Sequence, residues 1–273
     1  RRTLMTITLQ HFPAGERGFF RAPVLLSGAH QAILVDGGFT LEDGRAVAAA
    51  IQATGKQLKT IYVSQSDPDY YFSLRPICEA FPDARVIASV DTVAAISASV
   101  QKKLDAWGPK LGENGPRTIS DVVLPIASND PTLSLEEEEI EIVAADGLAN
   151  RRFLWVPSLR AVVGGVLVFS GVHVWTADTQ TPEQRAAWLA NLDAIAKRGP
   201  KIVIPGHLAE GAACGASALD YTREYLIAFE EELALAKDSG GLIAAMKRRY
   251  PQAGMGVALE IGSKVAKGEM KWG

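Results

Sequence analysis

The order of apolar segments along the chain predicts an α/β fold in which two mixed sheets pack face to face, with helices on both outer faces. Three observations lead to this four-layer αββα sandwich. The first half runs from strands into helix–strand units, the second half repeats that order, and no linker-like change of composition separates the halves. We therefore expect a single domain over residues 1–273.

The first half contains segments in which β-branched and other apolar residues run between turn residues, the pattern of strands. These predicted strands cover residues 3–12, 22–28, 31–36, 59–64 and 84–89. Between them, apolar residues recur at helical spacing, and glycine follows two of the segments as a stop signal. The predicted helices cover residues 43–54, 71–81 and 93–107, and a loop rich in Gly and Pro is predicted at 108–117.

The second half alternates strands and helices in the same way. Its predicted strands cover residues 117–125, 133–143, 152–157, 160–169 and 201–207. The acidic run at 136–139 lies inside the second of these strands and indicates a solvated edge. The predicted helices cover residues 181–199, 216–237 and 240–249. The first of them has the clearest start signal, because Thr181 can cap it, Pro182 occupies the first helical position and Gln184 completes a capping box.

The composition excludes several classes of function. A net charge of −3 gives no basic face for nucleic acid and no polybasic signal for a membrane surface. The longest apolar stretch, residues 161–169, is far too short to span a bilayer. Cys78 and Cys214 form neither a disulfide framework nor a zinc motif. We expect a soluble protein and favour the cytoplasm; because the chain begins at Arg1, export after removal of a leader peptide is the alternative.

One cluster of polar side chains follows directly after a predicted strand. The stretch "VSQSDPDYYFSL" at 63–74 places Gln65, Asp67 and Asp69 at the mouth of that strand. Three interpretations are open. With Asp146 the cluster could form an oxygen-rich site for Mg²⁺, Mn²⁺ or Ca²⁺. Two neighbouring carboxyls could raise each other's pKa, so that one serves as a general base. Both aspartates could also simply cap turns.

Four stretches in a fixed order resemble the metallo-β-lactamase fold superfamily over residues 20–235. They are "VDGG" at 35–38, the polar cluster at 63–74, "FLWVPSLRAVVGGVLVFSGVH" at 153–173 and "IVIPGH" at 202–207. The resemblance implies the αββα sandwich. It also implies a hydrolase in which imidazole and carboxylate ligands hold one or two metal ions that activate a water molecule.

The sequence departs from that pattern at most of the ligand positions. In chain order, the positions that match the superfamily's ligands hold Gln65, Asp67, Asp69, Tyr70, Asp146 or Gly147, Val166 and His207. Asp69 and His207 alone keep the residue types of the superfamily. A catalytic zinc ion usually has three protein ligands, so we expect no standard two-zinc centre, but a single hard divalent cation or none.

Two functions of different classes follow. The first is a hydrolase with a non-standard site that acts on a small ester- or lactone-like substrate. Its predicted catalytic residues are Asp69, His207 and Tyr70, and its predicted metal ligands are Asp67, Asp69, His207 and Gln65. The second is a descendant that binds a small ligand or a partner without turnover. The apolar Val166 favours the second function, because its side chain cannot bridge metal ions.

Two further side chains, those of His173 and Tyr70, each have a functional and a structural interpretation. His173 follows the predicted paired strands and could reach the same cleft, but a hydrogen-bonded loop histidine is an equal alternative. Tyr70 could supply a phenol donor to a ligand or could pack in the core. The expected partner is a small-molecule ligand or substrate, and we expect neither nucleic acid nor a membrane.

Overall fold

The first sheet contains strands from the first half of the chain. The computed structural model describes residues 6–273, and within that range this sheet has six strands. They are β1 (Thr8–His11), β2 (Val24–Ser27), β3 (Gln31–Val35), β4 (Gln57–Tyr62), β5 (Arg85–Ala88) and β6 (Ile126–Ala127). They lie side by side in chain order, antiparallel from β1 to β3 and parallel from β3 to β6.

The second sheet contains strands from the second half. The strands of this half are β7 (Thr132–Leu135), β8 (Glu138–Ala144), β9 (Arg152–Val156), β10 (Ala161–Val163), β11 (Phe169–Ser170), β12 (Ile202–Val203) and β13 (His207–Leu208). Five of those described form a sheet in the order β12-β10-β9-β8-β7. The other two, β11 and β13, form a separate parallel pair.

Helices cover the outer faces of both sheets. They are α1 (Leu41–Thr54), α2 (Leu74–Ala80), α3 (Val90–Leu111), α4 (Pro182–Lys197), α5 (Ala216–Leu235), α6 (Ser239–Arg249) and α7 (Gly256–Ala266). As predicted, Thr181 caps α4 and forms a capping box with Gln184.

The alternation of side chains along the strands creates the layers. Val24 and Leu26 of β2 point into a core shared by the two sheets, whereas Leu25 between them packs in the core that contains the helices. On the second sheet Leu154 faces the shared core and Phe153 faces outward, into the core that contains α4. The predicted four-layer αββα sandwich is confirmed.

One predicted strand is a hairpin. Residues 133–143 divide into β7 and β8, which pair antiparallel around a turn in which Glu136 has a φ of 56°. The carboxylate of Glu136 accepts hydrogen bonds from the backbone N–H groups of Ala29, His30 and Gln31, in the β2–β3 turn of the other sheet. The acidic run is solvated as predicted at Glu137 and Glu139, but it lies at a turn and not inside one strand, and Glu136 links the two sheets.

Other differences arise where local hydrogen bonds override propensity. The predicted strand at 117–125 contains a short 3-10 turn, because the Asp121 carboxylate accepts hydrogen bonds from the backbone N–H groups of Arg117 and Thr118.

Helix α3 continues past Gly108 and ends at Gly112, which has a φ of 56°. Helix α7 was not predicted, since its first turn has no side-chain cap. Part of the predicted strand at 3–12 lies outside the described residues.

The predicted strand at 160–169 breaks at two glycines. Gly164 and Gly165 have φ values of 74° and 80°, the left-handed region that glycine adopts without a steric penalty. The chain turns there and enters β11 only at Phe169. None of the helices within residues 6–273 combines the length and apolar character needed to cross a bilayer.

Gly206 offers a test of how tightly this region is packed. A Cβ atom at Gly206 would lie 2.3 Å from the Gly165 carbonyl oxygen and 2.8 Å from the Tyr70 hydroxyl. We expect Gly206→Ala to lower the free energy of unfolding by about 1–3 kcal/mol, the usual cost of overpacking. Urea unfolding measures it. Gly256→Ala is the matched control, because a methyl group at that position would approach no other described part of the fold within 4 Å. An equal loss in both variants would contradict the prediction.

Candidate functional site

A buried carboxylate shapes the loop that carries the polar cluster. Asp36 follows β3 with a φ of 65° and is 1% exposed. Its carboxylate accepts hydrogen bonds from Ser64 N at 2.6 Å and Ser64 Oγ at 2.7 Å. Ser64 Oγ in turn accepts from Gly165 N at 2.9 Å. Asp36 therefore holds the loop after β4 against the turn between β10 and β11, where the two halves of the chain meet.

Asp69 and His207, which are 138 positions apart in the sequence, are in direct contact. His207 Nε2 donates to Asp69 Oδ2 at 2.9 Å, and the Phe169 ring stacks on the imidazole with centroids 4.8 Å apart. Both residues are buried, with 8% of Asp69 and 2% of His207 exposed. The loop after β4 and the end of the 202–207 segment therefore meet in the folded chain.

Arg21 provides the positive charge beside this pair. It is 1% exposed, and its guanidinium donates to three backbone carbonyls, those of Asp69 at 3.0 Å, Gly37 at 3.1 Å and Gly206. Its Nε lies 3.9 Å from Asp69 Oδ2. The guanidinium also stacks 3.6 Å from the centroid of the Tyr70 ring. One side chain thus joins segments from three parts of the chain.

These contacts set the protonation of the pair. Burial alone raises the pKa of the Asp69 carboxyl, but the hydrogen bond from His207 and the Arg21 guanidinium outweigh burial and hold that pKa below its ordinary value. Burial lowers the pKa of the His207 imidazole. At neutral pH Asp69 is therefore ionised and His207 neutral, with its proton on Nε2. Among the residues that the structure describes, the buried Nδ1 of His207 has no hydrogen-bond partner.

Tyr70 lies behind the pair. It has no exposed surface, its hydroxyl donates to the Gly165 carbonyl oxygen at 2.7 Å, and Arg21 covers one face of its ring. Of the two roles considered for Tyr70, the core-packing role fits this environment. A phenol donor to a ligand would have to give up the bond to Gly165.

Asp67 occupies a different environment from Asp69. It is partly exposed, accepts a hydrogen bond from the Gln65 amide, and lines the same cleft as Asp178. Burial raises the pKa of Asp67 to about 7, the Asp178 carboxylate adds to the rise, and Arg151 opposes it. Arg151 lies 3.8 Å from Asp178 and 3.5 Å from Gln65 Oε1. Asp67 therefore changes protonation near neutral pH.

A narrow cleft of about 40 Å³ opens over these groups. Asp67, Asp69 and Asp178 contribute to its lining, as does His207. Asp178 is held in place by two indoles, since Trp175 Nε1 donates to it at 2.9 Å and Trp272 Nε1 at 3.0 Å. The rest of the lining is mainly aromatic or apolar and comprises Phe19, Pro68, Trp107, Val166, Trp175, Met255 and Trp272, together with Lys103. The cleft thus combines fixed carboxylates with apolar walls, as ligand sites do.

Two other candidate residues lie outside the cleft. Asp146 is exposed, and its backbone is held by the Asn191 side chain of α4. His173 is 2% exposed and shares a hydrogen bond of 2.9 Å between its Nδ1 and the Tyr225 hydroxyl of α5. Burial lowers the pKa of His173 to about 4, so it is neutral at physiological pH. Of its two interpretations, the hydrogen-bonded structural histidine fits.

Solved structures identify the fold. A metallo-β-lactamase family protein from Thermus thermophilus matches with a TM-score of 0.64 and 17% identity, over 95% of this chain and 91% of its own. A β-lactamase domain protein from Burkholderia ambifaria matches with a TM-score of 0.64 and 16% identity, over 96% and 84%. The DIM-1 metallo-β-lactamase matches with a TM-score of 0.53 and 16% identity, over 82% and 97%.

The chain has the metallo-β-lactamase fold. At these identities the likeness shows the fold alone and leaves the chemistry to the site. Comparison with protein-family models and with curated protein sequences finds no match.

The side chains at this cleft do not fit the metal centre associated with the metallo-β-lactamase fold. Within residues 6–273, no group of three His, Cys, Asp or Glu side chains is arranged to hold a metal ion. His207 Nε2 and Asp69 Oδ2 are bonded to each other, and the Arg21 guanidinium would repel a cation placed between them. The four predicted ligands therefore form two separate hydrogen-bonded pairs, Gln65 with Asp67 and Asp69 with His207, and Val166 lies in the cleft wall.

Arg21 was missed by the sequence analysis. It lies between two phenylalanines and an Ala-Pro pair, a context typical of a loop, and its acceptors are 16, 48 and 185 positions away. Asp178 and Arg151 were also absent from the predicted site. No local pattern identifies these residues, because their contacts exist only after the two halves have packed.

Replacing Arg21 tests its position in this network. We expect Arg21→Met to lower the free energy of unfolding by about 3–5 kcal/mol, because the buried Asp69 carboxylate loses its compensating charge. Arg21→Lys should fall between wild type and Arg21→Met, since one ammonium group cannot reach all three carbonyls. Urea unfolding at neutral pH measures both. Arg223→Met, which removes an exposed ion pair with Asp193, is the control and should change little; equal losses at the two arginines would refute the prediction.

The raised pKa of Asp67 predicts a pH dependence of stability. Between about pH 4 and pH 7 the folded chain holds a proton on Asp67 that the unfolded chain has released, so this group makes the free energy of unfolding fall as the pH rises. Asp67→Asn removes that contribution. The stability of wild type relative to Asp67→Asn should therefore decrease from pH 4 to pH 8, as measured by urea unfolding. Asp193→Asn provides an exposed control; a relative stability that rises with pH would contradict the assigned shift.

Proposed function

We propose that the protein is a hydrolase of small ester- or lactone-like substrates, in which side-chain carboxyls perform the proton transfer. The observation that carries the proposal is the arrangement of Asp67, Asp69 and Asp178 around one cleft with apolar walls. Each carboxyl is held by a different partner, namely Gln65, His207 or a pair of indoles. Fixed carboxyls next to an apolar binding surface are a common basis of general acid–base catalysis.

Asp67 is the proposed general base. Its pKa of about 7 leaves a useful fraction of carboxylate at neutral pH and makes it basic enough to accept a proton from water. The water oxygen then forms the bond to the acyl carbon, and the bond from that carbon to the alcohol oxygen breaks. Asp67 returns its proton to the departing alcohol oxygen, so the group ends the cycle as it began.

Asp69 and His207 have a positioning role in this scheme. Asp69 remains ionised because Arg21 and His207 stabilise its charge, so it does not compete with Asp67 for the proton. Its carboxylate also adds to the rise in the pKa of Asp67. The proposal therefore changes the roles expected from the sequence, in which Asp69 and His207 were the catalytic centre and Asp67 assisted.

Ligand binding without turnover is the second candidate function. It is favoured by the Asp69–His207 hydrogen bond and the nearby Arg21 guanidinium, which already engage His207 Nε2 and Asp69 Oδ2 within the protein. With 2% of its surface exposed, His207 offers little to a substrate, and Val166 adds an apolar surface to the cleft. The same aromatic walls would hold a small ligand equally well in the absence of chemistry.

An activity screen separates the two functions. We expect turnover of at least one compound in a panel of esters, lactones, thioesters and phosphoesters, and dialysis against a chelator should leave the rate unchanged. Asp67→Asn should lower kcat by roughly 10²-fold, the scale of a lost general base. The wild-type rate should rise with pH around pH 7, as Asp67 becomes ionised.

Three controls make the screen decisive. Asp193→Asn, an exposed carboxyl on α4, should retain full activity. Asp69→Asn should lower the rate and shift the pH profile, because it removes a charge that raises the pKa of Asp67. Metal analysis of protein purified without added metal should find no pair of zinc ions. Loss of activity on chelation, with recovery on adding Zn²⁺ or Mn²⁺, would reject the metal-free scheme, and the absence of turnover with every compound would favour ligand binding.

A further inference from the structure

A second concave surface adjoins the cleft. This groove, of about 480 Å³, lies between α3 and the segment 271–273. It shares Asp67, Lys103, Trp107, Asp178 and Trp272 with the cleft. A ligand whose reactive end occupies the cleft would extend into this groove. The groove is therefore the surface that could determine which ligands bind in the cleft.

The floor of the groove is one face of α3. Ala95, Ser99 and Ala106 lie three or four residues apart or at multiples of that spacing, so their short side chains share a face and leave room above the helix. The flanking positions have long side chains, including Lys103 and Trp107. This alternation of short and long side chains produces a trough rather than a flat helix surface.

Four lysines line the groove, namely Lys102, Lys103, Lys110 and Lys271. Across residues 6–273, none of the four forms an ion pair with a carboxylate. Lys102 donates to the Gly273 carbonyl oxygen at 2.5 Å. The protein has a net charge of −3, so this concentration of positive charge is local and not a property of the whole surface.

Two tryptophans complete the groove. Lys103 Nζ lies 5.1 Å from the centroid of the Trp272 ring, and Lys110 Nζ lies 4.6 Å from that of Trp107. Both rings are partly exposed and offer surface for a planar group. At the inner end, the Arg151 guanidinium lies 3.8 Å from Asp178 and opposes its charge, and Asp67 accepts a hydrogen bond from Gln65.

We propose that this groove binds the anionic group of a ligand that has an aromatic or similarly planar portion, with a carboxylate or phosphate placed among the lysines. The planar portion lies against Trp107 and Trp272, next to the cleft. The inference concerns binding, and it would stand even if the cleft proved to have no hydrolytic activity.

Calorimetric titration with three probes tests the proposal. The probes are 2-naphthoate, 2-naphthyl phosphate and the neutral 2-naphthamide, which share one ring system and differ in charge. We expect both anions to bind more tightly than the amide, by roughly five- to tenfold, and the difference to shrink when the salt concentration is raised. Whichever anion binds more tightly identifies the carboxylate or the phosphate as the preferred group.

Lysine variants locate the site. Lys103→Gln and Lys110→Gln should each weaken binding of the anions by roughly fivefold and leave binding of the amide unchanged. Lys197→Gln, an exposed lysine on α4, is the matched control and should bind like wild type. Three outcomes would overturn the proposal: equal affinity for the amide and the anions, an equal loss in Lys197→Gln, or no binding of any probe.

Discussion

The candidate site depends on one buried guanidinium. Arg21 donates to carbonyls at Gly37, Asp69 and Gly206, so it connects the end of the first sheet, the loop after β4 and the segment that precedes β13. A buried charge is stable only when it is compensated, and here the compensation comes from three carbonyl dipoles and the Asp69 carboxylate. The backbone segments that carry these three carbonyls must therefore keep their positions around the guanidinium. At one of them, Gly206, the surrounding atoms leave no room for a side chain.

This arrangement divides the carboxyls of the site into two kinds. Asp69 lies next to Arg21 and His207 and remains ionised, whereas Asp67 is separated from that charge and is influenced mainly by burial and by Asp178. Two aspartates two positions apart thus have pKa values displaced in opposite directions. Because their pKa values differ in this way, one carboxyl can exchange protons near neutral pH while the other keeps its negative charge.

The sequence predicted the fold better than the site, for a physical reason. Strand alternation and the capping box at Thr181 are local patterns, and they correctly indicated the layers and α4. Local patterns failed where distant groups decide the structure, as at Glu136, whose carboxylate is held by the turn of another sheet. The resemblance to a known family placed Asp69 and His207 together, but it gave no information about Arg21, which occurs in no motif.

The ion pair between Arg21 and Asp69 has a consequence for how the protein matures. In a site built from clustered acidic ligands, the unloaded protein contains like charges that repel one another until an ion arrives. Here the positive and negative members are both part of the polypeptide, and their charges cancel as soon as the chain has folded. The charge balance of the Arg21–Asp69 pair is therefore part of the polypeptide itself and is established when the two halves of the chain pack together.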